Sequence, residues 1–366
     1  MQNIIASPGR YIQGKGALSD LCTHAEKLGK KLFVLVSESG KNRIANTIDA
    51  SAANNGCQIT YSIFNGECSK EEVERVKQAF LDAKAEVVIG IGGGKIHDTA
   101  KAVAYYAEAP VVIVPTIAST DAPCSALSVL YTPEGLFQEY LFLPASPNLV
   151  LVDTDIVAAA PARLLIAGIG DALATHFEAR ACVNSDSGNC VGGKATLAAA
   201  ALAELCYETL LENGYYAKLA VEKNVCTKAV EHIIEANTLL SGLGFESAGL
   251  AGAHAIHNGL TALEETHNMY HGEKVAFGTL VQLMLENATE DLEVVAAFCV
   301  EVGLPITLKQ LGVEKVEPAR IMEVAKLASV EGETMGNLPF EVTAEDVFAA
   351  IMATDAFGQD MLETIC

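Results

Sequence analysis

The chain reads as an α/β domain built on a parallel sheet, followed by an all-helical domain. Proline placement carries the division: eight of the eleven prolines fall at or before Pro161, and none lies between Pro161 and Pro305. Proline removes a backbone donor and clashes with the preceding helical turn, so a long proline-free stretch rich in Ala, Leu and Glu suits consecutive helices. In the first half, short β-branched runs alternate with amphipathic segments instead. Strands that are apolar almost throughout belong to a parallel sheet covered on both faces. Domains are therefore expected at 1–161 and 162–366, with the cleft between them as the default site.

Candidate strands occupy Lys31–Val36, Gln58–Ile63, 86–91, 111–114 and 149–152. Residues 69–83 predict an amphipathic helix opening on a capping box, Ser69-x-x-Glu72. A hairpin is expected across 128–142, turning at Pro133-Glu134-Gly135. After Pro161 the helical pattern places Asp171 at an otherwise apolar helix start, His254 on a helix near 246–263, and His271 at the start of the next.

Composition narrows the function. With 46 acidic against 24 basic residues, the formal charge is −22, which repels phosphate backbones, and no basic run offsets it. Nucleic acid is excluded as a partner. The 51% apolar content excludes disorder, and no uncharged apolar stretch reaches the length of a membrane span. The N-terminus lacks the layout of a signal peptide. Ten cysteines without a CxxC pair read as reduced, mostly buried thiols of a cytoplasmic protein.

Two loops follow strands and can bind ligands. After Val87-Val88-Ile89-Gly90-Ile91 comes Gly92-Gly93-Gly94-Lys95, with a helix beginning near Ile96. Glycines between a buried strand and a helix let a diphosphate approach backbone amides and the positive helix end; a ligand-free tight turn is the alternative. Lys95 is followed by Ile96, which excludes a Walker A loop, and no third glycine completes the ordinary dinucleotide fingerprint. The second loop, 115–125, is rich in small hydroxyl residues. It suits a sugar or amide, or caps itself.

Five histidines, His24, His97, His176, His232 and His257, read as surface or satisfied core residues, whereas His254, His257, His267 and His271 crowd one segment. His254 and His271, with a carboxylate from a third helix, would form an open three-ligand metal site. Asp171 is the candidate carboxylate, since an unpaired one in apolar surroundings is costly. A helix cap at Asp171 with locally bonded histidines is the other possibility.

Taken in order, Gly92-Gly93-Gly94-Lys95-x-x-Asp98-Thr99-Ala100-Lys101, the 115–125 loop, Gly170-Asp171-Ala172-Leu173-Ala174-Thr175, His254-Ala255-Ile256-His257-Asn258-Gly259 and His271-Gly272-Glu273-Lys274 resemble the iron-containing alcohol dehydrogenase superfamily. The resemblance is closest to its zinc-dependent glycerol dehydrogenase branch and runs from Ser7 to the C-terminus. It implies the two-domain fold shared with dehydroquinate synthase, a homo-octamer, and NAD-linked hydride transfer between glycerol and dihydroxyacetone, extending to other vicinal diols such as 1,2-propanediol. Asp171, His254 and His271 match the ligands of Zn²⁺ and, with Asp121, the catalytic set. Asp121 and His254 match substrate contacts. Gly93, Gly94, Lys95 and Asp98 match the diphosphate and ribose loop, and Thr116, Ser119, Ser125, Leu127 and Tyr131 further cofactor contacts. Iron-type relatives carry a histidine where this chain has Thr175, which favours zinc. Relatives carry aspartate where this chain has Ser37, followed by Glu38; NAD over NADP remains the expectation.

Glycerol-1-phosphate dehydrogenase and dehydroquinate synthase are the rival activities on this fold. Each needs cations for an anionic substrate, and Arg163, Arg180 and Lys274 alone stand near the relevant motifs. A catalytically silent NAD-binding protein is disfavoured by the intact metal trio. His257 and His267 are candidate proton relays.

Overall fold

The structure, a computed structural model, describes residues 1–365. In chain order the elements are β1 (Tyr11–Gly14), α1 (Leu21–Ala25), β2 (Lys31–Val36), α2 (Glu38–Asn55), β3 (Gln58–Ile63), α3 (Lys70–Asp82), β4 (Val87–Gly92), α4 (Gly94–Tyr106), β5 (Val111–Pro115), β6 (Leu127–Tyr131), β7 (Phe137–Phe142), β8 (Leu149–Asp153) and α5 (Thr154–Ala158). The helices continue with α6 (Ala162–Asn184), α7 (Leu197–Val221), α8 (Lys228–Glu235), α9 (Ser241–Ala248), α10 (Gly252–Leu260), α11 (His271–Leu285), α12 (Thr289–Val302), α13 (Pro318–Ala328) and α14 (Ala344–Ile365). None of them is long and apolar enough to cross a membrane.

Two compact units result, each with its own core. The first holds residues Ala6–Pro161 together with Ala220–Gly242. Its sheet has the order β1-β8-β5-β4-β2-β3, and every neighbouring pair is parallel. Both faces are covered: Val34, Val36, Ile89, Ile91, Val112 and Val114 share a core with Ile44 and Ile48 of α2, while Phe33 faces Phe80 of α3 edge-on, 5.7 Å between centroids. Burial on two faces is why these strands are continuous apolar runs. β6 and β7 form the expected hairpin, antiparallel and outside the main sheet.

The helical unit comprises Met1–Ile5, Ala162–Leu219 and the residues from Leu243 onward. No strand is found among its described residues. Val281, Leu308, Ile321, Val324, Val347 and Ile351 are part of its main core.

Several expectations need correction. The boundary near residue 161 is crossed twice, because Met1–Ile5 lies with the helical unit and Ala220–Gly242 with the sheet. β1 was not foreseen: Tyr-Ile-Gln-Gly is half-buried at a sheet edge and lacks the apolar run of a central strand. The capping box is only half made. Ser69 accepts from the Glu72 amide, but the Glu72 carboxylate accepts from Asn65 N and from Arg75. The helix expected at 246–263 breaks after Ala248, where Gly249 takes φ +113°, a conformation that side chains rarely adopt. Asp171 is the tenth residue of α6, so it does not cap it. Six of the nine described cysteines are buried; Cys366 lies outside the described residues.

Candidate active site

The helical unit assembles the metal trio by close helix crossing. A Cβ on Gly272 would lie 1.8 Å from the Ala167 carbonyl oxygen, and one on Gly170 would lie 2.3 Å from that of Gly272. α6 and α11 therefore touch backbone to backbone. The residues beside these glycines meet as a result: His271 Nε2 lies 3.0 Å from Asp171 Oδ1, and His254 Nε2 lies 3.6 Å from the same oxygen. Ligand atoms of all three fall within 4.8 Å of one another. Two imidazoles and a carboxylate form a donor set that fits a divalent transition metal and leaves further coordination positions open.

Glu178, two turns along α6 from Asp171, holds His254 in place. Its Oε2 is 2.6 Å from His254 Nδ1, and its Oε1 accepts from the amides of Ala251 and His254, both at 2.9 Å. The break at Gly249 is what leaves those amides at a helix start, where no intrahelical carbonyl serves them. One buried carboxylate thus caps α10 and directs the other imidazole nitrogen, Nε2, toward Asp171. Burial would raise the Asp171 carboxyl, but the imidazoles of His271 and His254 hold it well below the usual range. For His254 burial works downward and is outweighed by Glu178 and Asp171, which keep the ring basic.

Thr175, where iron-type relatives have a histidine, is fully buried. His176 stacks on Tyr207, 5.0 Å between centroids and 12° from parallel, and is not in the ligand group. Not every other histidine is a bystander. His257 Nε2 lies 2.9 Å from His271 Nδ1, whereas His267 is bonded to the Thr261 carbonyl, away from this chain of contacts.

In the sheet unit, α4 starts at Gly94, two residues before the expected position. No side chain caps it, no acidic residue lies in its first turn, and the Gly93 carbonyl takes the amides of Ile96 and His97. The glycines differ in what they make room for. A Cβ on Gly90 would press on Ala100 Cβ at 2.6 Å and one on Gly93 on Ile117 Cδ1 at 2.9 Å, while one on Gly94 meets nothing nearer than Thr120 Oγ1 at 4.0 Å. Gly94 therefore opens a space that the protein itself does not fill, at the positive end of a helix, which suits a diphosphate. Lys95 lies 2.6 Å from Glu67 Oε2 and 6.0 Å from the Tyr131 ring centroid.

Other expected cofactor residues prove to be engaged in the fold. The Asp98 carboxylate contacts Lys101 Nζ at 3.0 Å and accepts from Val129 N. Lys101, fully buried, also donates to the carbonyls of Ala122 and Leu127 and to Ser125 Oγ. Ser37 caps α2 by accepting from Gly40 N; Glu38 beside it is exposed. Thr116 and Ser119 are half-buried on the loop after β5. That loop is braced by Ala220–Gly242, where a π-helical turn over Ala236–Leu240 presents Asn237 to the Ala118 carbonyl at 3.0 Å. Ser241, next in the chain, donates to Asp121 Oδ2 at 2.9 Å. Neither brace, nor Glu178, was legible in the sequence, since each partner is remote along the chain.

The family described as iron-containing alcohol dehydrogenase matches residues 8–154. A glycerol dehydrogenase of Escherichia coli O6:H1 is 54% identical over 364 residues, covering 99% of both chains. The chain belongs to the iron-containing alcohol dehydrogenase family. It is accordingly an alcohol oxidoreductase acting on CH–OH groups, with a candidate metal centre at Asp171, His254 and His271. A glycolaldehyde reductase of Halobacterium salinarum is 48% identical, covering 98% of this chain and 99% of that one. The crystal structure of glycerol dehydrogenase from Schizosaccharomyces pombe superposes with a TM-score of 0.96 at 41% identity, covering 100% of this chain and 93% of that one.

Proposed function

We propose that this family member is a zinc-dependent, NAD-linked glycerol dehydrogenase that interconverts glycerol and dihydroxyacetone and acts on other vicinal diols such as 1,2-propanediol. The observation that carries the reading is the group of Asp171, His254 and His271, whose ligand atoms lie within 4.8 Å of one another, joined to full-length similarity to glycerol dehydrogenases. A metal held there would supply Lewis acidity toward the secondary hydroxyl, and a bound nicotinamide would supply the hydride acceptor.

The chain's own residues do the rest. Asp171, His254 and His271 would hold the metal, and Glu178, bonded to His254 Nδ1, leaves the Nε2 lone pair of His254 available to it. The uncapped start of α4 receives the diphosphate at Gly93 and Gly94, with Lys95 beside them. The resemblance assigns Thr116, Ser119, Ser125, Leu127 and Tyr131 to the rest of the cofactor. Asp121, steadied by Ser241, orients the diol. Ser37 caps α2 where the resemblance puts an aspartate, and the negative charge of the exposed Glu38 beside it disfavours a 2′-phosphate.

Anionic substrates are disfavoured because Arg163 is paired with Glu273, and Arg180 with Glu286 and Asp291. The glycolaldehyde reductase relative makes that two-carbon aldehyde the substrate to run beside glycerol. The ten cysteines, without a CxxC pair and mostly buried, support a cytoplasmic setting, and the family resemblance supports a homo-octamer. The deciding experiment follows NADH absorbance with glycerol and NAD before chelation, after it, and after zinc is restored. Activity that is lost and then regained supports the proposal; no glycerol-dependent NADH in the zinc-replete protein overturns it.

A further inference from the structure

A chain of four side chains leaves the candidate metal centre on the side of His271. His271 Nδ1 lies 2.9 Å from His257 Nε2, and His257 Nδ1 lies 3.1 Å from Asn258 Oδ1. Asn258 Nδ2 donates to both oxygens of Glu333, at 3.2 and 3.4 Å. The direction of every link follows from the last one. A carboxylate only accepts, so Asn258 turns its NH₂ to Glu333 and its carbonyl to His257. Facing a carbonyl, His257 Nδ1 must carry the proton, which leaves its Nε2 as an acceptor. His271 Nδ1 then donates, and His271 Nε2, the atom 3.0 Å from Asp171, keeps its lone pair. Reversing any link would put a proton on that Nε2 and remove a ligand.

We propose that Glu333 is a positioning residue that sets the tautomer of His271 through Asn258 and His257, and so tunes the metal affinity of the centre. The inference rests on the metal reading given above. It parallels Glu178, which does the same for His254 by direct contact, and it assigns a function to a half-buried glutamate on the segment between α13 and α14.

The test measures Zn²⁺ affinity of the full-length apoprotein by competition with a chromophoric chelator, so it does not depend on turnover. Removing a directly bonded outer partner typically costs 10- to 100-fold in metal affinity, and two further links reduce this to roughly 3- to 10-fold for Glu333→Ala. Glu333→Gln retains an accepting oxygen and is expected to stay within about twofold of the unsubstituted chain. Adding Asn258→Asp to Glu333→Ala restores affinity, because an aspartate only accepts from His257; a merely structural role for Glu333 gives no such rescue. Unchanged affinity in Glu333→Ala, or Glu333→Gln as weak as Glu333→Ala, overturns the proposal. His271→Ala is the control. If it binds Zn²⁺ as tightly as the unsubstituted chain, the metal reading itself is wrong and the positioning role falls with it.

Discussion

Single side chains decide the direction of hydrogen bonds around the candidate metal centre. Glu178→Gln keeps an oxygen for the amides of Ala251 and His254 but turns an NH₂ toward His254 Nδ1. That forces the proton onto Nε2. The expected outcome is a folded protein whose Zn²⁺ affinity falls by about 10- to 100-fold, measured by equilibrium dialysis. Asp121 is tested by substrate range: Asp121→Ala should cost about tenfold or more in kcat/KM for vicinal diols, on the scale of a lost charge-assisted bond, and much less for simple monoalcohols. An equal loss on both would sink the diol-orienting role. Asp171, His254 and His271 were legible because histidine is scarce here, eight in the chain, and their motifs are specific. Glu178 is one of 46 acidic residues, and only the fold shows that it meets His254.

At the level of helices and strands, the glycines divide by what lies opposite them. Gly94→Ala adds a methyl facing open space, so thermal stability should hold while the KM for NAD rises about tenfold, because the methyl would occupy the proposed diphosphate position. Gly90→Ala instead presses on Ala100 and should cost about 1–3 kcal/mol of stability as overpacking, read as a lower denaturation midpoint. If Gly94→Ala is the destabilised one and NAD affinity is untouched, the cradle assignment is wrong. Gly272→Ala tests the crossing of α6 and α11: with a Cβ 1.8 Å from a carbonyl oxygen, the helices must part, and Zn²⁺ binding and stability should fall together. Central strands were readable to within a residue because burial on both faces leaves uninterrupted apolar runs. β1 and the break at Gly249 were not, since Tyr-Ile-Gln-Gly is four residues with neither an apolar run nor an alternation, and a helix break depends on a partner for the freed amides.

For the molecule as a whole, pH stability carries one traceable contribution from a residue outside the metal centre. His97 is fully buried in α4, and burial first, then the nearby Lys101 charge, lower its pKa to about 3. An unfolded histidine titrates near 6.5, so below that pH the unfolded chain takes a proton that the folded chain refuses until about pH 3. Stability contributed by neutral His97 is therefore complete above pH 6.5 and is lost on acidification between these values, by about 1.4 kcal/mol per pH unit at most. Denaturant midpoints between pH 7 and 4 should fall more gently for His97→Gln than for the native chain; parallel curves would contradict the assignment.

Net charge belongs to the same scale. At −22, the chain repels anions everywhere except where a helix start and its amides act locally, which is consistent with an uncharged diol as the second substrate. The inventory of chemistry, its order and the existence of two folding patterns were already present in the residues, because composition, periodicity and motif spacing are local properties. What required the fold was polarity and distance: which imidazole nitrogen keeps its lone pair, which glycine leaves a space, and why Ala220–Gly242 braces the Asp121 loop of the sheet unit. Those depend on atoms brought within about 3 Å from residues far apart in sequence, and one-dimensional spacing carries no such information.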